Sequence, residues 1–269
     1  TRRSSDLMTQ RSCSRRHFLA GFAGGLLIPA LAHAADDAAK APVEADPTVV
    51  ERVQRADAIR FPRESFQTEI VVRNYSNGVE GDARTFRVLS RGNDNTIVLT
   101  LEPATERGQA LLMRGRDLWV FMPSVSQPVR LSLAQRLTGQ VANGDLARAN
   151  FAGDYTPALA GKETIDGTPA LVLDLAAVDR GVTYARVRYW IAEADNRPLK
   201  AEFYALSGRL LKVARYEDFR ELAGRVRPTR LVMEDALKQG EVSVLTYENM
   251  NVRDLPERMF TREYLRRLQ

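Results

Sequence analysis

The sequence predicts a mainly β protein in which a strongly curved antiparallel sheet is capped by helices. About eleven short runs alternate between apolar and polar residues, and turn residues separate them. About eleven strands exceed the usual size of a flat sheet, so we expect the sheet to curl. Helical patterns before the strands, between them and after them supply the caps.

Residues 1–34 have the order of an export signal: basic residues, a short apolar run and a small-residue cleavage site. The apolar run is about fifteen residues long and a spanning helix needs about twenty, so a retained membrane anchor is the less favoured alternative. Paired arginines favour the twin-arginine route over the Sec route, and they predict a periplasmic protein. The residues that define the signal are Arg15, Arg16, Phe18, Leu19, Ala32 and Ala34.

The predicted signal contains both histidines, His17 and His33, and the single cysteine, Cys13. Cleavage after Ala34 would leave a chain without histidine or cysteine. Nucleophile pairs of the Ser-His or Cys-His kind and the usual zinc sites are then excluded. Phosphate-binding loops and the dinucleotide fingerprint are also absent from the sequence after the signal. We therefore predict a protein that is not an enzyme and has no cofactor and no metal.

Net charge also changes once the signal is set aside. Residues 1–34 hold five arginines and one aspartate, so they account for +4 of the total formal charge of +5. The remaining +1 gives no indication of nucleic-acid binding. Residues 35–46 lack periodicity and predict a disordered leader. Residues 47–269 are expected to form one domain.

The elements of this domain follow from local patterns. Asp46 before Pro47 is a helix start, and apolar residues at helical spacing predict a helix over 47–60. Short helical turns are predicted within 132–151, and an amphipathic helix over 257–268 presents Phe260, Tyr264, Leu265 and Leu268 on one face. The predicted strands are 66–73, 83–90, 95–102, 109–114, 117–122, 170–176, 183–192, 198–206, 209–217, 227–235 and 241–248.

Alternation along the strands predicts one apolar and one wet face. Val187, Tyr189 and Ile191 oppose Arg186, Arg188 and Trp190, and Leu199, Ala201 and Phe203 oppose Lys200, Glu202 and Tyr204. Strand 117–122 is apolar on both sides, so both of its faces should be covered. An apolar concave face is filled either by the protein's own side chains or by an apolar ligand. Pattern alone favours the first.

Carboxylates are the remaining candidates for catalysis. A pair of them could act as a glycosidase acid and base, but nothing in the sequence brings two together. Exposed strand ends and turns explain them better. The candidates are Asp117, Asp174, Asp179, Glu234 and Asp235.

An ordered set of short motifs resembles the LolA-like family of outer-membrane lipoprotein-sorting proteins. The strand Gly115-Arg116-Asp117-Leu118-Trp119-Val120-Phe121-Met122-Pro123-Ser124 is similar to the family's G-x-D-x-W-x-(aromatic)-x-P strand. The resemblance extends over about residues 47–268, and loop 143–151 departs from the family's pattern. Further matches are Gly161–Gly167, Pro198–Tyr204, Ser207-Gly208-Arg209, Arg227-Pro228-Thr229 and Phe260-Thr261 with Tyr264-Leu265.

The resemblance implies a half-barrel whose apolar concave face shields acyl chains of lipoproteins or other lipids during passage through the periplasm. An inner-membrane exporter and an outer-membrane acceptor are the implied partners of such a monomeric carrier. The same fold type also implies an alternative, a non-enzymatic sensor or interaction module. The candidate residues of the concavity, each equally compatible with ordinary core, are Met113, Trp119, Phe121, Val187, Tyr189, Phe203, Leu231 and Met233.

Overall fold

A computed structural model describes residues 46–125, 127–148 and 150–265. It confirms the predicted fold class: one thirteen-stranded antiparallel sheet dominates, and short helices pack against it. The predicted export signal, and all but the last residue of the predicted leader, lie outside the described residues. The described residues include no helix of the length and apolarity needed to cross a membrane.

The described residues contain fifteen strands and four α-helices. The helices are α1 (Pro47–Arg60), α2 (Asn143–Ala147), α3 (Phe151–Asp154) and α4 (Arg262–Leu265), and single 3₁₀ turns occupy Ala104–Glu106 and Glu257–Met259. The strands are β1 (Phe66–Ser76), β2 (Val79–Arg91), β3 (Asn95–Glu102), β4 (Ala110–Arg114), β5 (Asp117–Phe121), β6 (Val129–Leu131), β7 (Arg136–Thr138), β8 (Val141–Ala142), β9 (Tyr155–Ile165), β10 (Thr168–Ala177), β11 (Arg186–Ala192), β12 (Pro198–Tyr204), β13 (Leu210–Leu222), β14 (Arg225–Asp235) and β15 (Glu241–Val252).

Helix α1 has the predicted bounds. The Asp46 carboxylate accepts a hydrogen bond from the Thr48 amide at 2.8 Å, and Pro47 occupies the first helical position. The helix ends at Arg60 because Phe61 precedes Pro62 and adopts an extended conformation. Val53 is fully buried against the sheet.

The large sheet is strongly curled. Its strand order is β6-β5-β4-β3-β2-β1-β15-β14-β13-β12-β11-β10-β9, so β6 and β9 are the edges. Thirteen strands laid flat would extend about 58 Å. However, Arg116, between β4 and β5, forms ion pairs with Asp154, just before β9, and with Asp179, just after β10. The sheet therefore curls until the β4–β5 turn lies beside the ends of β9 and β10.

The sheet has an inner face, which packs against α1, α2 and α3, and an outer face. The inner face forms the largest apolar cluster, to which β2, β5, β10 and β14 all contribute. Part of the outer face of β2–β5 is covered by the C-terminal residues 255–265. Both faces of β5 are thus covered, as its sequence predicts.

Several predicted elements need correction. The four strands from β6 to β9 were not predicted, and β9 is an edge strand whose Leu159 is exposed. The region 132–137 forms a single turn and the start of β7 rather than a helical turn, whereas α2 and α3 fall where helical turns were expected. The predicted helix 257–268 divides at Thr261, whose hydroxyl accepts a hydrogen bond from the Tyr264 amide and so starts α4. Residues beyond 265, including Leu268, lie outside the described residues.

One prediction of side-chain direction and one prediction of exposure were also wrong. A register shift between β11 and β12 places a bulge at Leu199, so Leu199 packs on the outer face and not beside Ala201 and Phe203. Trp190 does lie on the outer face, but it is only 3% exposed. It packs there with Val172, and its ring nitrogen donates a hydrogen bond to Glu163 at 2.9 Å.

Candidate functional site

The candidate site is the inner face of the sheet together with the segment that lies over it. This covering segment comprises residues 132–148 and 150–154, from the turn before β7 through α3. Leu133, Val141, Leu146 and Phe151 bury its apolar side against the inner face. The segment therefore occupies the place where a ligand of the concave face would lie.

Six of the eight predicted cavity residues lie together on the inner face. None is more than 5% exposed, so all are ordinary core in this structure. They are Met113, Val187, Tyr189, Phe203, Leu231 and Met233.

Trp119 and Phe121 lie elsewhere, and their assignment to the concavity is corrected. Met113 faces Leu118 across the β4–β5 hairpin, and side chains alternate along a strand. Trp119 and Phe121 consequently project to the outer face, where they pack in the cluster with Phe260.

The inner face contains polar groups that the sequence did not reveal. Arg60 of α1 forms an ion pair with Asp57 at 3.1 Å, and its guanidinium lies 4.1 Å from the centre of the Phe151 ring. Tyr189, Tyr216 and Tyr247 surround this arginine, and burial raises the pKa of all three hydroxyls. Alternation along its strand predicted that Tyr189 lies on the apolar face. Nothing in the sequence indicated that the Arg60–Asp57 ion pair would lie there as well.

The space between the covering segment and the inner face is small and partly open to solvent. Its volume is about 30 Å³, and its walls include Arg60, Asp145, Tyr184 and Tyr216. Ligand pockets usually measure about 300–1,000 Å³, which is at least about ten times larger. The inner face is therefore filled by the protein's own side chains in this structure.

Two larger clefts lie on either side of the covering segment. The first has a volume of about 320 Å³ and lies between Phe86, Val98 and Leu111 of the inner face and Leu137 of the segment. The second measures about 470 Å³, and apolar residues before β11 and around the β12–β13 turn form it with Ala134 of the segment. Both clefts are mainly apolar, and the covering segment separates them.

Lys212 on β13 anchors the middle of the covering segment. Its ammonium group lies 2.7 Å from the Asp145 carboxylate and also donates a hydrogen bond to the carbonyl oxygen of Gln140. Asp145 in turn accepts hydrogen bonds from the Tyr184 hydroxyl, at 2.8 Å, and from the Ala142 amide, at 2.8 Å. Lys212 and Asp145 are both less than 10% exposed in their side chains, so this is a buried ion pair.

Two hydrogen bonds to side chains of the sheet hold the β7–β8 hairpin. Asn74 on β1 donates a hydrogen bond to Thr138 at 2.9 Å, and Ser243 on β15 accepts one from the Gln140 amide at 2.8 Å. Gly139 lies between them with φ +49°, and a Cβ atom there would be 1.9 Å from the Asn74 side-chain oxygen. Glycine is thus required both by the backbone conformation and by the close approach.

The end of the covering segment is fixed by Arg148 and Asp57. Arg148 donates to the Asp154 carboxylate, to Asp94 at 2.9 Å and to the Gly115 carbonyl oxygen at 2.9 Å. Burial disfavours its cation, but the contact with Asp154 prevails and raises the pKa of Arg148. Asp57 of α1 accepts a hydrogen bond from the Ala152 amide at 2.9 Å, and burial raises the pKa of Asp57 to about 6.

The carboxylates considered as a catalytic pair are separately engaged. Asp117 pairs with Arg130, and Asp179 pairs with Arg116. Asp174 pairs with Arg186 and Arg188, Glu234 pairs with Arg215, and Asp235 accepts hydrogen bonds from the amides of the following turn. Each of these acids thus has its own structural partner.

Comparison with known proteins gives one family and several solved structures. Residues 92–267 match a family model described as "Uncharacterized protein". None of the curated proteins matches the chain. The crystal structure of the LolA superfamily protein NE2245 from Nitrosomonas europaea is 57% identical, with a TM-score of 0.77, over 80% of this chain and 98% of that one.

Two more distant structures share the fold. An outer membrane lipoprotein-sorting protein domain from Vibrio parahaemolyticus is 21% identical with a TM-score of 0.69, and a DUF1329 family protein from Desulfovibrio piger is 22% identical with a TM-score of 0.70. Each match covers 81% of this chain and 98% of the other. The family resemblance seen in the sequence motifs is confirmed. With 57% identity to a solved member over most of its length, this chain belongs to the LolA superfamily.

Proposed function

We propose that this protein is a periplasmic carrier that binds the acyl chains of lipoproteins or other lipids between the sheet and the covering segment. It performs no chemical reaction in this role. The observation that carries the proposal is the arrangement of the two apolar clefts, which lie on either side of one polar-anchored segment over an apolar inner face.

Movement of the covering segment is the central step of this proposal. The space of about 30 Å³ beneath the segment is too small for an acyl chain, but displacement of the segment would join it to the 320 Å³ and 470 Å³ clefts. The six inner-face residues from Met113 to Met233 named above would then line one continuous groove. Each methylene buried there contributes about 0.8 kcal/mol, which is sufficient to hold a chain that would otherwise contact water.

The fold of the lipoprotein-sorting domain from Vibrio parahaemolyticus supports the substrate class. A carrier of this kind needs a donor and an acceptor, for which an inner-membrane exporter and an outer-membrane receptor are the proposed partners. Export through the twin-arginine signal and action as a monomer belong to the same proposal.

Photo-crosslinking tests the proposal directly. The protein is incubated with a phospholipid that carries a photoactivatable acyl chain, irradiated and digested, and the labelled peptides are identified by mass spectrometry. We expect labels on β11 and β14, at or beside Val187, Tyr189, Leu231 and Met233. Labels confined to outer-face residues such as Trp190, or no labels at all, would contradict it.

A second candidate function is a sensor or interaction module that binds a protein partner. The second cleft favours it, because Val178 is 48% exposed and Leu206 is 78% exposed beside this apolar surface. A partner peptide could rest there without any opening of the inner face. Stable capture of a membrane protein that is lost in Leu206→Asp, together with no lipid crosslink, would favour this function over the carrier.

A further inference from the structure

A cleft rich in arginine lies at the C-terminal end of α1. Its volume is about 510 Å³. None of the residues that line it also lines either apolar cleft. This arginine cleft is formed by Arg55, Ala58, Ile59, Arg63, Glu64, Ala194, Asp195, Asn196, Arg225 and Arg227.

Positive charge exceeds negative charge in the arginine cleft. Four arginines face two carboxylates, so the lining has a formal charge of +2. Arg55 is already paired with Glu51 at 2.7 Å. Arg63 and Arg225 are exposed, and neither has an ion-pair partner among the residues that the structure describes. Arg63 makes one long hydrogen bond, to the Gln54 carbonyl oxygen at 3.5 Å, so neither guanidinium group at the mouth of the cleft is neutralised by a carboxylate.

Arg227 lies at the base of the cleft and is only 2% exposed. Its Nε donates to the Leu222 carbonyl oxygen at 2.9 Å, and its Nη1 donates to the carbonyl oxygens of Ala58 and Ile59 at 2.7 and 3.0 Å. Nη2 has no hydrogen-bond partner in the part of the chain that the structure describes. A buried cation held only by neutral carbonyl groups lacks the counterion that such groups usually have.

The neighbourhood of Arg227 is unfavourable to its charge. Burial, followed by repulsion from Arg225, lowers the pKa of Arg227 to about 10. Glu64 acts in the opposite direction but does not compensate. An anion placed between the two arginines would relieve both effects.

We propose that the arginine cleft binds a phosphate or phosphodiester group. Arg227 supplies a fixed donor at its base, Arg225 lies two residues away on the same strand, and Arg63 belongs to the chain between α1 and β1. Three guanidinium groups match the several oxygen atoms of a tetrahedral phosphate, whereas a planar carboxylate is satisfied by a single guanidinium fork. The same group occurs in soluble phosphate esters and in phospholipid head groups.

The test uses the full chain and the double variant Arg63→Gln/Arg225→Gln. Arg227 is left unchanged because its bonds to Ala58 and Ile59 hold the end of α1. The matched control is Arg209→Gln/Arg258→Gln, which removes the same charge from two exposed arginines outside the cleft. Circular dichroism and thermal melting establish that all three proteins are folded.

Isothermal titration with inorganic phosphate and with glycerol 3-phosphate measures the soluble anions. Flotation with phosphatidylglycerol vesicles, compared with phosphatidylcholine vesicles, measures the lipid head group. We expect the wild type and the control to bind at least one of these phosphate probes, and the cleft variant to bind it at least about tenfold more weakly. Binding of the soluble probes alone identifies a soluble ester as the ligand, and binding of the phosphatidylglycerol vesicles identifies a lipid.

Three results would overturn the proposal. They are equal affinity in the wild type and the cleft variant, an equal loss in the control, and no binding of any phosphate probe by the wild type. Acyl-chain crosslinking to the inner face is measured separately, so failure of the arginine cleft leaves the carrier function untouched and the reverse also holds.

Discussion

The two faces of the sheet are covered in different ways. On the outer face of β2–β5, the C-terminal residues 255–265 insert Leu255, Phe260 and Leu265, each no more than 1% exposed, into a wholly apolar cluster. On the inner face, the covering segment also buries apolar residues, but buried charges such as Lys212 and Asp145 fix its position, and clefts remain on both sides of it.

This difference has consequences for movement. Apolar burial is non-directional, and every shift of a packed side chain leaves a void that costs free energy. A buried ion pair fixes one geometry, but its desolvation offsets much of its attraction, so it contributes less to net stability than to position. The C-terminal residues 255–265, the outer cover, are thus part of the permanent core. The covering segment, or inner cover, is held in place by a few specific contacts that can be broken together.

Phe260→Ala should give the largest effect, because it tests the outer cover. Removal of a ring that is 0% exposed should lower the free energy of unfolding by about 3–5 kcal/mol. Urea denaturation measures this change. Acyl-chain crosslinking to the inner face should be unchanged at temperatures where the variant is folded. The half-buried neighbour Met259 is the control, and an equal loss in Met259→Ala would contradict a specific role for Phe260.

Lys212→Met should loosen the inner cover. Asp145 loses its counterion but keeps the Tyr184 hydroxyl, so we expect a loss of about 2–4 kcal/mol in unfolding free energy, near the lower part of the range for a broken buried pair. Uptake of a fluorescent fatty acid, followed by stopped flow, should become faster. Slower or unchanged uptake would contradict the proposed movement of the segment.

Lys200→Met is the matched control for this change. Lys200 pairs with Glu202 at 2.6 Å on the outer face, where it is less deeply buried than Lys212. We expect a loss of about 1 kcal/mol or less and no change in uptake. Addition of Asp145→Asn to Lys212→Met should restore part of the stability, because the amide oxygen still accepts hydrogen bonds and no buried charge is left unpaired.

Gly139→Ala should disturb the β7–β8 hairpin by a smaller amount. The added methyl group would collide with Asn74 and Ser243, and the backbone would also be held at positive φ. We expect a loss of about 2–3 kcal/mol in unfolding free energy. Gly167→Ala is the control, since Gly167 also has positive φ but has nothing within 4 Å of its Cβ position, and it should cost about 1 kcal/mol. Equal losses would show that close approach to the sheet is unimportant.

The same two covers show what the sequence could predict. Strand alternation and turn residues identified eleven of the strands, because each pattern is local and has a period of two residues. Capping by Asp46 and Pro47, together with apolar residues at helical spacing, predicted the bounds of α1 for the same reason. The apolar double-sided pattern of β5 correctly indicated that the outer face has a cover of its own.

Features that depend on distant contacts were not predictable. Lys212 and Asp145 are 67 residues apart, and each alone is typical of a solvated strand or turn. Trp119 was assigned to the concavity although β5 is apolar on both sides, and only the hairpin register shows that Trp119 faces outwards. The bulge at Leu199 likewise reverses a residue that alternation assigns to the inner face. Register shifts and buried ion pairs can be recognised only once the strands are paired in the folded sheet.

The smallest expected effect concerns pH and the joint between α1 and the covering segment. Asp57 accepts a hydrogen bond from Ala152 and pairs with Arg60, but burial raises its pKa to about 6 from the ordinary 3.8. Because the folded state binds this proton more tightly than the unfolded state, the contribution of Asp57 to stability is greatest at low pH and is lost as pH rises towards 6 and above. Between pH 5 and pH 7 the loss should be about 1 kcal/mol.

Urea denaturation of the wild type and of Asp57→Asn, at several values between pH 5 and pH 7, isolates this contribution. The stability advantage of the wild type over Asp57→Asn should fall across this interval, because asparagine accepts the Ala152 hydrogen bond but does not titrate. A difference between the two proteins that stays constant or grows with pH would show that the Arg60 cation, rather than burial, controls Asp57. The carboxylates of the outer cover, Glu257 and Glu263, are both exposed, whereas Asp57 is buried. If the unfolding free energy depends on pH in the wild type but not in Asp57→Asn, the pH sensitivity lies in the inner cover, which is the one proposed to open.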